Sequence, residues 1–223
     1  MVQLLFAYPL INADSFIAKI EAISSFKGTI PGIDRWQLWI QNGPSNAQFC
    51  IHYLECQDST TCSMQLLQKH LSNDYSLLSP HCRVEKVLDL VIDSTPSEGY
   101  ELVYLLPLLP NKVIEHREYC RLAMNERREA TVAACKTFGM IHMKKWIQQS
   151  PSGDYVLYYQ KMNKPLDEVR TAFLSLKDDP KALHTTKSLR EQTGLSFEEL
   201  SPRVTCINVI EKVFKNPIPA KIQ

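Results

Sequence analysis

One segment of this chain, Trp39-Ile40-Gln41-Asn42-Gly43-Pro44-Ser45, aligns without a gap on a later one, Trp146-Ile147-Gln148-Gln149-Ser150-Pro151-Ser152. Five of the seven positions are identical. Each segment ends in Pro-Ser, which favours a turn, and is followed by an aromatic and β-branched run at residues 49–53 or 155–159. Each copy therefore predicts a β-hairpin, and the match indicates an internal duplication.

The surroundings of the two hairpins also correspond. In the first copy the predicted elements are a strand at residues 4–8, a helix capped by Asn12, the hairpin, a helix around residues 64–71 and a strand from Arg83. In the second copy they are a strand at residues 117–121, a helix capped by Asn125, the hairpin, a helix from Leu166 to Phe173 and a strand from Arg203. This β-α-β-β-α-β order is that of the ferredoxin-like fold. The predicted fold class is therefore α+β, with two ferredoxin-like repeats.

The duplication also predicts the domain boundaries. We expect an N-terminal repeat at residues 1–93, a linker at residues 94–111, a C-terminal repeat at residues 112–216 and a tail at residues 217–223. The linker prediction depends on Pro96, Gly99, Pro107 and Pro110, which break regular structure. The second helical region of the C-terminal repeat is extended, over residues 177–200, and the sequence does not predict the role of this extension.

Composition excludes several classes of function. Lys and Arg number 25 and Asp and Glu 24, so the net charge of +1 gives no attraction to nucleic acid or to an acidic membrane. No stretch approaches the roughly 20 apolar residues that span a bilayer. The N-terminus lacks the pattern of a signal peptide, so we expect a cytoplasmic protein whose seven cysteines are thiols. The spacing of His and Cys predicts no metal site, and no cofactor is expected.

Alternation along the predicted strands separates two sheet faces. In the second copy Ile141, Met143 and Ile147 share one face, which we expect to meet the helices, and His142 and Trp146 share the other. Read as a strand, residues 117–121 add Tyr119 and Arg121 to the Trp146 face. In the first copy the same reasoning assigns Phe6 and Tyr8 to the face of Trp39.

This duplicated β-α-β-β-α-β order, with a Trp on one mixed face of each sheet, resembles the dimeric α+β-barrel superfamily. Its members include antibiotic-biosynthesis-type monooxygenases and EthD-like proteins. The resemblance implies two ferredoxin-like sheets packed as a pseudo-dimeric barrel with a cavity at a sheet. It implies no particular reaction, because this fold hosts many functions.

The site predicted from these patterns is a ligand-binding surface over the C-terminal sheet. We expect Trp146 to stack on a small aromatic molecule, beside Tyr119, while Arg121 and His142 bind its polar or anionic group. No catalytic residue is predicted. An alternative is a non-catalytic interaction protein that associates through a sheet face, with a second copy of the chain as a candidate partner. A further alternative is a haem-binding barrel protein with His184 as the iron ligand.

Overall fold

The computed structural model describes residues 2–9, 32–42, 48–57, 82–94, 99–175, 180–196 and 206–213. The described strands are β1 (Val2–Pro9), β2 (Ile33–Asn42), β3 (Gln48–Cys56), β4 (Arg83–Val91), β5 (Tyr100–Leu108), β6 (Met140–Ser150), β7 (Gly153–Met162) and β8 (Cys206–Val213). The described helices are α1 (Val113–Met124), α2 (Arg128–Thr137), α3 (Leu166–Ser175) and α4 (Pro180–Thr193). The helices predicted after Asn12 and around residues 64–71, and the tail, lie outside the described residues.

The strands form two four-stranded sheets with matching internal order. The N-terminal sheet has the order β1-β3-β2-β8, and the C-terminal sheet has the order β5-β7-β6-β4. Trp39 in β2 pairs with Ile51 of the antiparallel β3, and Trp146 in β6 pairs with Leu157 of the antiparallel β7. The two Trp strands therefore occupy equivalent positions, and the α+β fold with a duplicated hairpin is confirmed.

The fourth strand of each copy belongs to the sheet of the other copy. β4 pairs with β6 in the C-terminal sheet, and β8 lies beside β2 in the N-terminal sheet. The compact units are accordingly Met1–Pro80 with Ile207–Gln223, and His81–Cys206. Neither unit therefore coincides with a single copy of the duplicated sequence. The sequence pattern contains no signal for this exchange, because a strand's apolar alternation does not specify its neighbour.

The predicted strand at residues 117–121 is wrong, because these residues lie in α1. The side chains that α1 buries recur at helical spacing, and they are Val113, His116, Cys120 and Ala123. The strand that begins the second copy is β5, inside the segment predicted to be a linker. Pro107 does not prevent this strand, because β5 is at the edge of its sheet, where a residue without an N–H is tolerated.

The helix predicted after Asn125 exists as α2, but Asn125 does not cap its N-terminus. Asn125 instead ends α1, and both its backbone N–H and its side-chain amide donate to the carbonyl oxygen of Arg121. The helix predicted from Leu166 corresponds to α3, and α4 lies within the extended region over residues 177–200.

The C-terminal sheet has one face covered by helices. Met143 packs there against Cys120 of α1 and Cys135 of α2. Ile147 packs on the same face in a second apolar cluster, with Val113 of α1. We call this the helix face. By strand alternation, Lys145 lies on it between Met143 and Ile147, whereas His142, Lys144, Trp146 and Gln148 lie on the opposite Trp146 face.

In the N-terminal sheet the prediction for Phe6 and Tyr8 is wrong. Phe6 and Leu38 both pair with His52, so Phe6 and Tyr8 share the face of Leu38 rather than that of Trp39. The reason is the pairing register, which a single strand's sequence does not contain. No helix of the described residues is long and apolar enough to span a membrane.

Candidate functional site

The four predicted site residues lie in two different elements. Tyr119 and Arg121 belong to α1, while His142 and Trp146 belong to β6. Tyr119 is placed over the helix face, where its ring contacts Lys145. His142 and Trp146 lie on the opposite face. The structure therefore does not bring the four residues together, because the strand assumed for Tyr119 and Arg121 is a helix.

The side chains of Arg121 and His142 already have partners. Arg121 is exposed and forms ion pairs with Glu118 at 2.7 Å and Glu126 at 3.0 Å. The Nε2 of His142 lies 2.6 Å from the Oδ1 of Asp89. Burial would raise the pKa of the Asp89 carboxyl, but hydrogen bonds from Lys86 and His142 and the charge of Lys144 lower it. Arg121 and His142 therefore belong to two separate sets of ion pairs, one on α1 and one between β4 and β6.

A different set of functional groups converges on the helix face around Lys145. The side chain of Lys145 is almost fully buried, with 3% of the residue exposed. Its Nζ lies 5.1 Å from the ring centroid of Tyr119 and 4.9 Å from that of Tyr158. Among the described residues no carboxylate pairs with it. A buried cation without a counter-ion is unfavourable, and contacts with two aromatic rings offset only part of its desolvation.

Tyr158 adds a polar group to the same place. This residue pairs with Lys145 across β6 and β7, and its ring stacks on Tyr104 of β5 with centroids 4.6 Å apart. Its hydroxyl is buried and makes no hydrogen bond to any described residue. Burial raises the pKa of Tyr158, with a smaller contribution from Cys120, so the hydroxyl keeps its proton as a donor.

His116 of α1 is the second group with an unpartnered atom. The residue is fully buried, and its ring lies 5.8 Å from that of Tyr119. Its Nδ1 lies 2.6 Å from the Oε1 of Gln192 in α4, while its Nε2 has no partner among the described residues. Burial, and then the positive charge of Lys145, lower the pKa of His116 to about 3. The imidazole is therefore neutral at physiological pH.

The other titratable groups near Lys145 are neutral as well. Burial raises the pKa of Cys120, and it raises the pKa of Cys135 to about 11, while Lys145 opposes both shifts. Burial likewise raises the pKa of Tyr119 against the influence of Lys145. The group formed by Lys145, Tyr119, Tyr158 and His116, which we call the Lys145 cluster, thus contains one cation and no anion.

At the equivalent place in the N-terminal sheet, the residues that the structure describes show no such imbalance. The alignment of Trp39 with Trp146 makes Leu38 the counterpart of Lys145, and the register makes His52 the counterpart of Tyr158. His52 is fully buried, and its partners are Trp36 Nε1 at 3.0 Å, Tyr8 Oη at 3.0 Å and Cys50 Sγ at 3.3 Å. Among the described residues, a buried cation lies beside unpartnered polar atoms in the C-terminal copy alone.

Sequence reasoning missed Lys145, His116 and Tyr158. One signal was present, because Lys145 interrupts the alternating apolar set of Met143 and Ile147. A lysine on the helix-covered side of a strand is unusual and marks a functional candidate. His116 carried no comparable signal, since its contact with Gln192 joins residues 76 positions apart.

The comparisons with known proteins agree with the fold. No protein-family model matches the sequence, and no curated protein matches it. Eight solved chains match in structure, among them an anthrone oxidase-like protein with a TM-score of 0.52 and 11% identity, covering 98% of this chain and 95% of that chain. This likeness shows the fold, and the resemblance expected from the sequence is confirmed at that level.

Two of the other matches are described as "putative monooxygenase". The one from Fusobacterium nucleatum has a TM-score of 0.48 and 6% identity, covering 95% of this chain and 93% of that chain. The one from Lactobacillus acidophilus has a TM-score of 0.43 and 8% identity, covering 96% of this chain and 97% of that chain.

The described residues contain no group of three or more His, Cys, Asp or Glu side chains arranged to hold a metal ion. The side chain of His184, the residue considered as a haem ligand, lies outside the described residues.

Proposed function

We propose that this protein binds a small aromatic molecule with an anionic oxygen, and that Lys145 is the cation that binds this oxygen. The observation that carries the proposal is the burial of the Lys145 ammonium without a carboxylate among the described residues. A ligand anion supplies the missing counter-charge. The Tyr158 hydroxyl, a buried donor without a partner, offers a second hydrogen bond to the same oxygen.

The aromatic part of the ligand is inferred from the rings around Lys145. Tyr119 and Tyr158 flank the ammonium, and Tyr104 stacks on Tyr158. Flat rings of this kind favour stacking with a flat ligand. An aromatic ligand also agrees with the name of the anthrone oxidase-like protein, because anthrone is an aromatic ketone.

The Trp146 face is a weaker candidate than the helix face, both for the ligand site and for the partner-binding surface that the sequence predicted there. Trp146 is buried within the chain, so it does not offer an open surface to a partner. Polar groups on this face have their own contacts: His142 with Asp89, and the Tyr159 hydroxyl, which donates to Glu101 at 2.7 Å. The helix face is therefore the better location for a ligand anion.

Calorimetric titration with 2-naphthoate tests the proposal, and Lys144 offers a matched control. Lys144 is the neighbour of Lys145, is 5% exposed and also lies over a tyrosine ring, but it is on the opposite sheet face. Lys145→Met should weaken binding by about tenfold or more, the usual worth of a charged hydrogen bond. Lys144→Met should leave the affinity within about threefold of the wild type.

Two results would overturn the proposal. One is the absence of saturable binding of 2-naphthoate to the wild-type protein. The other is an affinity in Lys145→Met that equals that of Lys144→Met.

A further inference from the structure

The hydrogen bonds of Gln192 determine which nitrogen of His116 carries the proton. The Nε2 of Gln192 donates to the Oγ of Ser188 at 3.1 Å, one turn earlier in α4. This bond directs the Oε1 of Gln192 towards His116, where it lies 2.6 Å from Nδ1. An amide oxygen only accepts hydrogen bonds, so Nδ1 must be the protonated nitrogen of the neutral ring.

The remaining nitrogen is then an acceptor. With the proton on Nδ1, the Nε2 of His116 presents a lone pair, and this atom is buried without a partner among the described residues. The lone pair of His116 alone cannot satisfy Lys145, because the ammonium offers three hydrogen-bond donors and carries a full charge. The Lys145 cluster therefore offers a ligand the Lys145 ammonium and the unpartnered Tyr158 hydroxyl as donors, together with one unused acceptor, the Nε2 of His116.

We propose that the site selects ligands that combine an anionic oxygen with a neutral hydroxyl group, and that the hydroxyl donates to the Nε2 of His116. The ligand class is thus a hydroxyaryl anion, such as an aromatic carboxylate or phenolate with a second, protonated hydroxyl. This inference rests on the proposed function, because it assumes that a ligand anion binds at Lys145. Gln192 acts as a positioning residue, since it sets the tautomer of His116 without contacting the ligand.

The contacts of the ring explain why the arrangement is specific. His116 and Lys145 both face the ring of Tyr119, His116 at 5.8 Å between ring centroids and Lys145 at 5.1 Å from Nζ to the centroid. The acceptor and the cation therefore share one aromatic neighbour, Tyr119. We infer that a ligand bound beside Tyr119 presents one substituent to each.

The test uses a set of 2-naphthoates that carry one hydroxyl at different positions of the second ring. The affinity of each isomer is compared with that of its own methyl ether. A methyl ether keeps the shape and the acceptor but has no proton to donate. For the best isomer the wild type should bind the hydroxyl compound about tenfold more tightly than the ether, because the bound ether leaves the Nε2 of His116 without a hydrogen bond. In His116→Phe this ratio should fall to about one.

Substitutions of Gln192 separate tautomer control from packing. Gln192→Glu retains an acceptor for Nδ1–H and should keep the preference for the hydroxyl compound. Gln192→Leu removes this acceptor, so His116 can adopt either tautomer and the preference for the hydroxyl compound should decrease. Nitrogen-15 NMR of the histidines should find His116 as the Nδ1–H form in the wild type and in Gln192→Glu, and a mixture of tautomers in Gln192→Leu.

The outcomes distinguish the two proposals. Lys145-dependent binding of 2-naphthoate with equal affinity for every hydroxyl compound and its ether overturns this inference but leaves the proposed function standing. An Nε2–H tautomer in the wild type also overturns it. Failure of all naphthoates to bind overturns both.

Discussion

Lys145 in β6 and Leu38 in β2 occupy equivalent positions of the two sheets, opposite Tyr158 and His52 respectively. One copy of the duplicated fold thus has an apolar side chain beside a histidine whose ring nitrogens both have partners. The other has a buried ammonium beside an unpartnered hydroxyl. Because the two environments share a fold, the difference arises from the side chains. The proposed ligand site therefore belongs to the C-terminal copy, at a position where the N-terminal copy has Leu38 beside His52.

The buried charge of Lys145 should reduce the stability of the ligand-free protein. Replacing a buried ion by an apolar side chain of similar size is often stabilising, because the desolvation cost disappears. Lys145→Met should therefore raise the free energy of unfolding by about 1–2 kcal/mol, even after the two cation–π contacts are lost. Urea denaturation at neutral pH measures this change.

Lys144→Met is the control for this stability measurement. Lys144 lies over Tyr159 and its charge helps to keep Asp89 ionised, so its loss should be neutral or destabilising. If Lys145→Met is destabilised as much as Lys144→Met, burial of the Lys145 charge does not reduce the stability of the wild-type protein.

Acid should destabilise the protein through His52 and His116, the two buried histidines among the described residues. Burial lowers the pKa of His52 to about 3, and burial with the charge of Lys145 lowers that of His116 to about 3. The unfolded chain binds these protons near pH 6.5, so stability is present above that pH and falls as the pH drops towards 3. Each histidine should cost about 1.4 kcal/mol per pH unit, or roughly 2 kcal/mol at pH 5.

His116→Phe checks this pH dependence residue by residue. The difference in unfolding free energy between pH 7.5 and pH 5 should shrink by roughly 2 kcal/mol relative to the wild type. An unchanged difference would mean that folding does not lower the pKa of His116.

Trp146 provides a test of where the ligand lies. The sequence predicts that the ligand stacks on Trp146, and this stays a prediction. Lys145 and Trp146 lie on opposite faces of β6, so binding at the Lys145 cluster should leave naphthoate affinity unchanged in Trp146→Phe. The main effect should be a stability loss of about 1–3 kcal/mol, similar to that of Trp39→Phe, because both rings are buried. A selective loss of affinity in Trp146→Phe would place the ligand on the Trp146 face instead.

The cysteines should all be thiols. The five whose side chains are described, Cys50, Cys56, Cys82, Cys120 and Cys135, are free. Thiol titration of the denatured, unreduced protein should find all seven groups of the sequence. In the folded protein the thiols of Cys50, Cys120 and Cys135 should react slowly, because burial raises the pKa of each. About five or fewer groups in the denatured protein would contradict the prediction.

Local sequence patterns were sufficient for part of the fold. The gap-free match of residues 39–45 with residues 146–152 predicted both hairpins and their equivalence, since strand and turn preferences act over a few neighbouring residues. The same reasoning failed at residues 117–121. The five residues there, Arg-Glu-Tyr-Cys-Arg, are too few to distinguish the period of a strand from that of a helix.

By itself, the sequence determined the duplication, the α+β class and the division of β6 into two faces, because these follow from repeats and periods read along the chain. Only the tertiary structure decided that β4 and β8 exchange sheets, that α1 places Tyr119 and His116 over Lys145, and that Gln192 reaches His116. These contacts join residues far apart in the chain. Pairing register and helix packing establish such contacts, and neither is encoded in the periodicity of one segment.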